Sequence, residues 1–336
     1  MYYETTRLIL RPWREEDAAE LFRYAADPEV GPPAGWPPHT DIENSRMIIR
    51  EILSAEGTFA VVLKATGLPI GSIGIMRNTN VSTAADEAEI GYWIGRPYWG
   101  QGLIPEAVQE CLRICFQEQG CSRVWCAYFE GNEKSRRVQE KCGFRYHHTE
   151  QNKECPMLNE IRTEHITALE KGRWIQRQIL LEPGQNQPEA LHPLFEAYTA
   201  ALVEQCPDFC TYLTKQNYDA ELLHPEEKYG EPYGRLYLLR FAGEPAGCIA
   251  LHQIDGKSCE LKRLYVRPEY RGLGLAAVLV EQILQDARQI GYRRILLDTF
   301  PDLTAAIRLY KKYGFYEIPS YNGSPMDELI YLQLDL

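Results

Sequence analysis

Arg271-Gly272-Leu273-Gly274-Leu275-Ala276 follows the apolar, strand-like run Leu264-Tyr265-Val266 and opens a stretch with helical spacing. Two glycines at a strand-to-helix junction let the backbone turn tightly, and the N–H groups freed there converge at the positive end of a helix. Such a junction cradles an anion and reads as a diphosphate site. A glycine pair alone more often marks an ordinary turn, so the surrounding sequence has to decide.

Behind the cradle, Ala276, Leu279, Val280, Ile283, Leu284, Ala287 and Ile290 recur at the spacing of one buried helical face, and Gly291 ends the pattern. Ile295-Leu296-Leu297 reads as the next strand, and a short helix runs into Leu309-Tyr310-Lys311-Lys312-Tyr313-Gly314-Phe315. With R-x-x-G-x-A after a strand and Tyr-x-x-x-Gly-Phe following, residues 179–336 resemble the GNAT superfamily of acetyl-CoA-dependent N-acetyltransferases.

The same devices occur earlier in the chain. Gly67-Leu68-Pro69-Ile70-Gly71 joins the strand-like runs Phe59–Leu63 and Ile70–Ile75, as Gly243-Glu244-Pro245-Ala246-Gly247 joins Leu236–Phe241 and Cys248–Leu251. Gly67 and Gly243, Gly102 and Gly274, Gly120 and Gly291, and Cys142-Gly143-Phe144 and Tyr313-Gly314-Phe315 stand 171 to 176 residues apart. That period is the size of a whole domain. Two copies of one fold are therefore expected, over residues 1–177 and 178–336. The fold class is α/β, two tandem GNAT folds, each a mixed, mostly antiparallel sheet with helices on both faces. The junction Glu170-Lys171-Gly172-Arg173 is too short for a flexible tether, so the domains are expected to pack on each other.

In the first copy the cradle reads Trp99-Gly100-Gln101-Gly102-Leu103-Ile104, with Pro105 suited to a first helical turn and Glu106 favourable beside the dipole. Arg7-Leu8-Ile9-Leu10-Arg11, Glu89-Ile90-Gly91-Tyr92-Trp93-Ile94, this cradle, and Asn132-x-x-Ser135 before Cys142-Gly143-Phe144 resemble the GNAT subgroup that acetylates N-terminal amines of ribosomal proteins. The likeness covers residues 1–175. Trp99 stands where the superfamily has Arg or Gln, and Ile104 where it has Gly or Ala, a larger side chain beside the cofactor.

Local patterns add detail. Residues 7–13 alternate like an edge strand, Asp17 is placed to cap the following helix, and residues 31–38 form a loop in which Trp36 either covers the core or lines a substrate mouth. Residues 145–160 are polar and read as a hairpin loop before a last strand, Ile161–Leu169. In the second copy a helix spans Leu191 to Cys206, and the polar stretch Lys215–Gly234 is either a substrate loop or a solvated connection.

Acetyl transfer to an amine needs a held diphosphate, a polarised thioester, a base for the ammonium and an acid for the thiolate. The resemblance implies that the cofactor arm lies beside Trp93-Ile94 in one copy and Leu264-Tyr265-Val266 in the other, where an exposed amide polarises the carbonyl. Each copy carries one glutamate at the start of that strand, Glu89 and Glu260, as the candidate base; the alternation also lets Lys262 pair with Glu260. Tyr310 occupies the family's thiolate-protonating position, whereas the first copy has Gln139 there. That copy instead carries Ser135, implied to hydrogen-bond the thiolate unless it is a helix cap, and Asn132, implied to bind the cofactor arm. No cysteine stands with a histidine near either cradle and acyl-CoA is already activated, so direct attack is expected.

Composition frames these expectations. The chain of 336 residues is 45% hydrophobic and 25% charged, as in ordinary globular proteins. A formal net charge of −11 argues against a nucleic-acid binder and suits cationic acceptors. Without a long apolar run or a signal pattern, a cytoplasmic protein that spans no membrane is expected. The ten cysteines lie mostly in apolar periodic segments, so no metal is expected. The acceptor is an amine, either a protein or peptide N-terminus or a small molecule. Two alternatives stay open: one copy is a non-catalytic acyl-CoA-binding regulatory module, or the chain acetylates aminoglycoside-type antibiotics.

Overall fold

Leu8 and Leu10 are fully buried and separated by one residue, the period of a strand pressed against a core. They belong to the first of two sheets in the computed structural model, which describes residues 2–205, 218–324 and 329–336. The chain divides into two compact units, Met1–Arg177 and Gln178–Leu336.

The first unit is built on β1 (Tyr3–Glu4), β2 (Leu8–Arg11), β3 (Thr58–Leu63), β4 (Leu68–Met76), β5 (Glu87–Ile94), β6 (Arg123–Phe129), β7 (Arg145–Cys155) and β8 (Glu160–Glu170), in the order β1-β2-β3-β4-β5-β6-β8-β7. Every pairing is antiparallel except β5 with β6. Ala60 and Val62 of β3 pack with Ala18, Leu21 and Ala25 of the helix Ala18–Ala25. Val61, facing the other way, is also fully buried, and the helix Leu103–Arg113 packs on β2, β4 and β5. A sheet wet on neither face needs such unbroken apolar runs.

The second unit repeats the plan with β9 (Ile179–Pro183), β10 (Arg235–Phe241), β11 (Glu244–Gln253), β12 (Ser258–Val266), β13 (Arg294–Thr299), β14 (Tyr316–Ile318) and β15 (Ile330–Asp335), ordered β9-β10-β11-β12-β13-β15-β14. Strand for strand this is the order of β2 to β8, with its parallel pair, β12 and β13, at the equivalent place. Leu191, Leu194 and Phe195 of the helix Pro188–Gln205 bury against Leu236, Leu238, Cys248 and Ala250. The helix Leu275–Ile290 packs on β10, β11 and β12. Both sheets are thus mixed, mostly antiparallel and flanked by helices, the expected fold.

Several local expectations are corrected. Residues 8–11 are not an edge strand, because the two-residue β1 lies outside them. Asp17 makes no side-chain cap for the helix Ala18–Ala25 itself; its carboxylate accepts from the Arg14 amide at 3.0 Å, at the start of the turn Glu15–Asp17 that leads into that helix, and pairs with the Arg11 guanidinium at 2.6 and 2.8 Å, a charge-assisted contact. Residues 145–155 are strand β7 rather than loop, paired antiparallel with β8 across a short turn. Their polarity reflects a terminal strand of the sheet, largely exposed along its length. Of the two readings of Trp36, the structure keeps the one in which it covers the core, 5.6 Å from the Trp93 ring. The junction is a helix, Lys171–Gln178. The polar stretch of the second copy forms two short helices, Tyr218–Leu223 and Pro225–Tyr229; its residues 215–217, like the Cys206 end of the preceding helix, lie outside the described residues.

Candidate active site

The site of the first unit begins where two strands part. β5 and β6 are paired in parallel only at Glu87–Arg123, Ala88–Val124 and Glu89–Trp125. Beyond Glu89 the strands go separate ways, and a cleft of about 1160 Å³ opens between Glu89–Ile94 on one side and Ala127–Ser135 on the other. In the second unit β12 and β13 pair only at Ser258–Arg294, Cys259–Ile295 and Glu260–Leu296. Each glutamate singled out in the sequence is therefore the last paired residue before a fork.

Each cradle lies just beyond the free end of the forked strand. Gly100 and Gly102 sit at φ +76° and +75°, Gly272 and Gly274 at +79° and +77°, and Gly102 and Gly274 are the N-caps of their helices. This left-handed conformation is costly for any side-chain-bearing residue. A Cβ at Gly100, Gly272 or Gly274 would meet nothing within 4 Å, and one at Gly102 only the Arg7 Nη2 at 3.7 Å. Among the described residues nothing accepts from the backbone N–H groups of Gly100–Ile104 or Gly272–Ala276. Five consecutive unspent donors at a helix N-terminus, in open space, fit a diphosphate.

Trp99 takes the part that Arg271 takes in the other copy. The Trp99 Nε1 donates to the Ile94 carbonyl at 2.9 Å, and the Arg271 Nε donates to the Val266 carbonyl at 3.2 Å. Both tie the cradle to the end of its strand, so the tryptophan is an alternative clamp. Lys134 lies 3.4 Å over the Trp99 ring. Ile104 is 5% exposed and packs inward along its helix. Glu106 is held by the Thr5 hydroxyl, the Arg7 amide and the Arg7 Nε, while the Arg7 Nη1 donates to the Gln101 carbonyl at 3.0 Å.

At the floor of the cleft, burial raises the Glu89 carboxyl above its ordinary range, partly offset by a hydrogen bond from Thr79, with the Glu164 charge pushing the same way as burial. Ser135 is not a cap: Asn132 caps that helix, accepting from the Ser135 amide at 3.1 Å and donating to the Pro33 carbonyl at 3.0 Å. The Ser135 Oγ lies 3.1 Å from the Tyr92 hydroxyl and 3.2 Å from the Gln139 Nε2. Gln139 is buried and saturated, donating to the Ala127 carbonyl at 3.0 Å and accepting from the Thr167 hydroxyl at 2.7 Å. The residue missed from sequence is Tyr92. Its alternation into the fork was the available signal, and burial holds its phenol well above the ordinary value, so it stays a proton donor.

In the second unit Tyr310 is 5% exposed, and burial first, then the Tyr198 and Asp298 charges, drive its phenol far up. Glu260 is not free: it pairs with the Lys262 Nζ at 3.0 Å and accepts from the Tyr321 hydroxyl at 2.7 Å. The eight cysteines among the described residues are buried and unpaired. No cluster of three or more potential metal ligands occurs among the described residues, and no described helix is long and apolar enough to cross a membrane.

Comparison with known proteins gives a family for both units. The GNAT acetyltransferase domain model matches residues 7–145, and the GNAT acetyltransferase family model matches residues 193–315. An uncharacterized N-acetyltransferase of Schizosaccharomyces pombe is 42% identical over 135 residues, 40% of this chain and 83% of its own length. One from Bacillus licheniformis is 37% identical over 125 residues, 36% of this chain and 68% of its own. The crystal structure of a ribosomal-protein-S5-alanine acetyltransferase from Vibrio fischeri is similar with a TM-score of 0.42 at 20% identity, over 52% of this chain and 98% of that one.

Proposed function

Because this chain belongs to the GNAT acetyltransferase family and carries two of its domains in tandem, we propose that it transfers the acetyl group of acetyl-CoA directly to a primary amine. The observation that carries the proposal is the pairing, in both copies, of five unspent amides at a helix N-terminus with a strand that has just left its neighbour. Acetyl-CoA supplies an activated thioester. The cradle amides of Gly100–Ile104 and Gly272–Ala276 hold its diphosphate, and the bare edges of β5 and β12 hold its arm in the fork. The amine nitrogen forms the new C–N bond, the C–S bond breaks, and the leaving thiolate takes a proton.

Glu89 removes the ammonium proton in the first unit. A carboxylate raised by burial is a stronger base than an exposed one, which brings it nearer the proton it must take. Ser135, backed by Tyr92, hydrogen-bonds the leaving thiolate and steadies it until it is protonated, and Asn132 sets the helix that carries Ser135. In the second unit Tyr310 is the acid, while Glu260 acts through its contacts with Lys262 and Tyr321. The first unit, which resembles the ribosomal-protein N-terminal acetyltransferases, takes a protein or peptide N-terminus, and the second takes a smaller amine. We place the reaction in the cytoplasm.

Thiol release from acetyl-CoA by the full chain, against panels of peptides and small amines, tests this. Release that depends on Glu89 with peptides and on Tyr310 with small amines is expected. A chain that binds no acetyl-CoA by calorimetry and releases no thiol with either panel refutes it. A second reading, in which one copy only binds acyl-CoA and regulates the other, is favoured for the second unit by the pairing of Glu260 with Lys262. Under that reading Tyr310→Phe leaves all turnover intact.

A further inference from the structure

Arg263 stands on β12 between the fork at Glu260 and the strand end at Val266. Opposite it the register with β11 slips: Ala250 pairs with Lys262 but Cys248 with Tyr265, so β12 carries one extra residue. Arg263 adopts φ +57° in that bulge, a left-handed conformation that is costly for any residue with a side chain. β4 and β5 of the first unit pair without any such slip. The bulge is therefore particular to the second unit, and it turns a guanidinium that is 95% buried toward the interior of that unit rather than to water.

Among the described residues, the charged groups hydrogen-bonded around it do not balance. The Glu221 carboxylate accepts from the Arg263 Nε at 2.5 Å, the Lys228 Nζ at 2.6 Å and the Tyr229 hydroxyl at 2.6 Å. One negative charge thus serves two positive ones, and burial together with the Arg263 and Lys262 charges pushes the Lys228 ammonium below its ordinary value. The Arg263 Nη2 is fully buried and has no hydrogen-bond partner among the described residues. Leaving a buried charged donor unmade is expensive, and native structures rarely do so without a use for it.

Its surroundings place this donor beside the chemistry. The guanidinium lies 5.9 Å from the Tyr198 ring centroid and 5.1 Å from that of Tyr218. The Tyr198 ring in turn lies 6.0 Å from that of Tyr265, two residues further along β12. Through Tyr198 and Tyr265 the guanidinium is packed along the stretch of β12 that runs from the fork to the cradle.

We propose that the acceptor of the second unit is an amine that also carries a carboxylate, and that the Arg263 Nη2 holds that carboxylate. This rests on the acyl-transfer reading of the second unit. A carboxylate supplies the missing negative charge, accepts from the free N–H, and orients the amine from a fixed point while Tyr310 attends the thiolate. An uncharged amine of the same size leaves the donor buried and unmade, and a site built for a polar partner discriminates strongly against an analogue that lacks it.

The test compares thiol release from acetyl-CoA by the full chain with a panel of free amino acids and with the matched amino acid carboxamides, counting only release lost in Tyr310→Phe. The acids are expected to exceed the carboxamides by at least about 30-fold in kcat/KM, and Arg263→Lys, which keeps the charge but loses the fork, is expected to shrink that ratio below about 5-fold. Tyr310-dependent turnover of both series at equal rates overturns the proposal and leaves acyl transfer standing. If neither series is consumed, acyl transfer to small amines fails and binding decides. A thermal shift given by the acids and not by the carboxamides still supports the carboxylate site, and equal or absent shifts overturn it. The acid-to-amide contrast in the unsubstituted chain stands even if Arg263→Lys does not fold.

Discussion

Replacing Gly274 with alanine separates what the cradle binds from what it costs. Gly274 sits at φ +77°, and a Cβ there would meet nothing within 4 Å, so the folded-state cost of the methyl is backbone strain alone, about 1–2 kcal/mol. In a unit of this size each kcal/mol lowers the melting temperature by about 2–4 °C. Gly243, in the turn between β10 and β11, sits at φ +89° with equally open surroundings. Gly243→Ala therefore carries the same strain in a hairpin that takes no part in the cradle. Only the methyl at 274 stands among the five unspent amides, where it displaces a bound diphosphate. Losing one or two charge-assisted bonds of about 1.5 kcal/mol each weakens acetyl-CoA binding about 10- to 150-fold. Calorimetry on the full chain should give a stoichiometry near two for the parent and for Gly243→Ala, and near one for Gly274→Ala. The pair Gly102→Ala and Gly67→Ala, at φ +75° and +70°, repeats the comparison for the first unit. If the matched variants lose stability equally and acetyl-CoA affinity changes in both or in neither, the cradle assignment is wrong.

Other consequences follow from single contacts. Trp99→Arg should keep acetyl-CoA affinity within about 3-fold, since Arg271 makes the equivalent bond to Val266, whereas Trp99→Phe, which has no donor for the Ile94 carbonyl, should lose about 5- to 10-fold; calorimetry reads both. Glu89→Gln should lower kcat/KM with peptide acceptors about 100-fold and remove the rise of rate with pH that a raised carboxyl imposes. The same shift has a stability sign. With the folded value above the unfolded one, the contribution of Glu89 is complete below the unfolded value and is lost as pH rises through the folded one, so Glu89→Gln should melt higher than the parent on the alkaline side of that window. Asp17→Asn, which leaves the Arg11 guanidinium without its charged partner in a site where both side chains are about nine-tenths buried, should cost about 3–5 kcal/mol by denaturant unfolding.

What was legible in the sequence was whatever a short stretch determines alone. Gly102 and Gly274 announced their conformation because only glycine adopts it cheaply at a helix start, and the apolar stripe from Ala276 to Ile290 announced its buried face by period. The sheet order was legible only through the likeness to a known family. What stayed hidden depends on partners distant along the chain. Asp17 reads as a cap until Arg11 is found beside it, and β7 reads as a loop because a terminal strand open to water has no apolar alternation to show. Tyr92 gained a meaning only when the fork brought it to Ser135, 43 residues away. The Arg263 bulge left no mark, since one extra residue in a strand changes register without changing composition.

The two copies show which parts of such a site the backbone fixes and which the side chains are free to vary. The fork, the glutamate at its root, the left-handed glycines and the carbonyl clamped at the strand end recur in both. These features are set by where hydrogen bonds run out, and any departure dissolves the cradle or closes the gap. Around them nearly everything differs: an indole clamps where a guanidinium does, Gln139 fills the place of Tyr310, and Glu89 rests in a half-buried pocket while Glu260 is neutralised by Lys262. The fork and cradle are thus fixed by backbone geometry, whereas the side chains around them answer to local electrostatics and differ between the copies. A chain with two such units can therefore keep the cradle and vary what surrounds it, as at Arg263, where β12 is bulged against β11 while β5 runs against β4 without a slip.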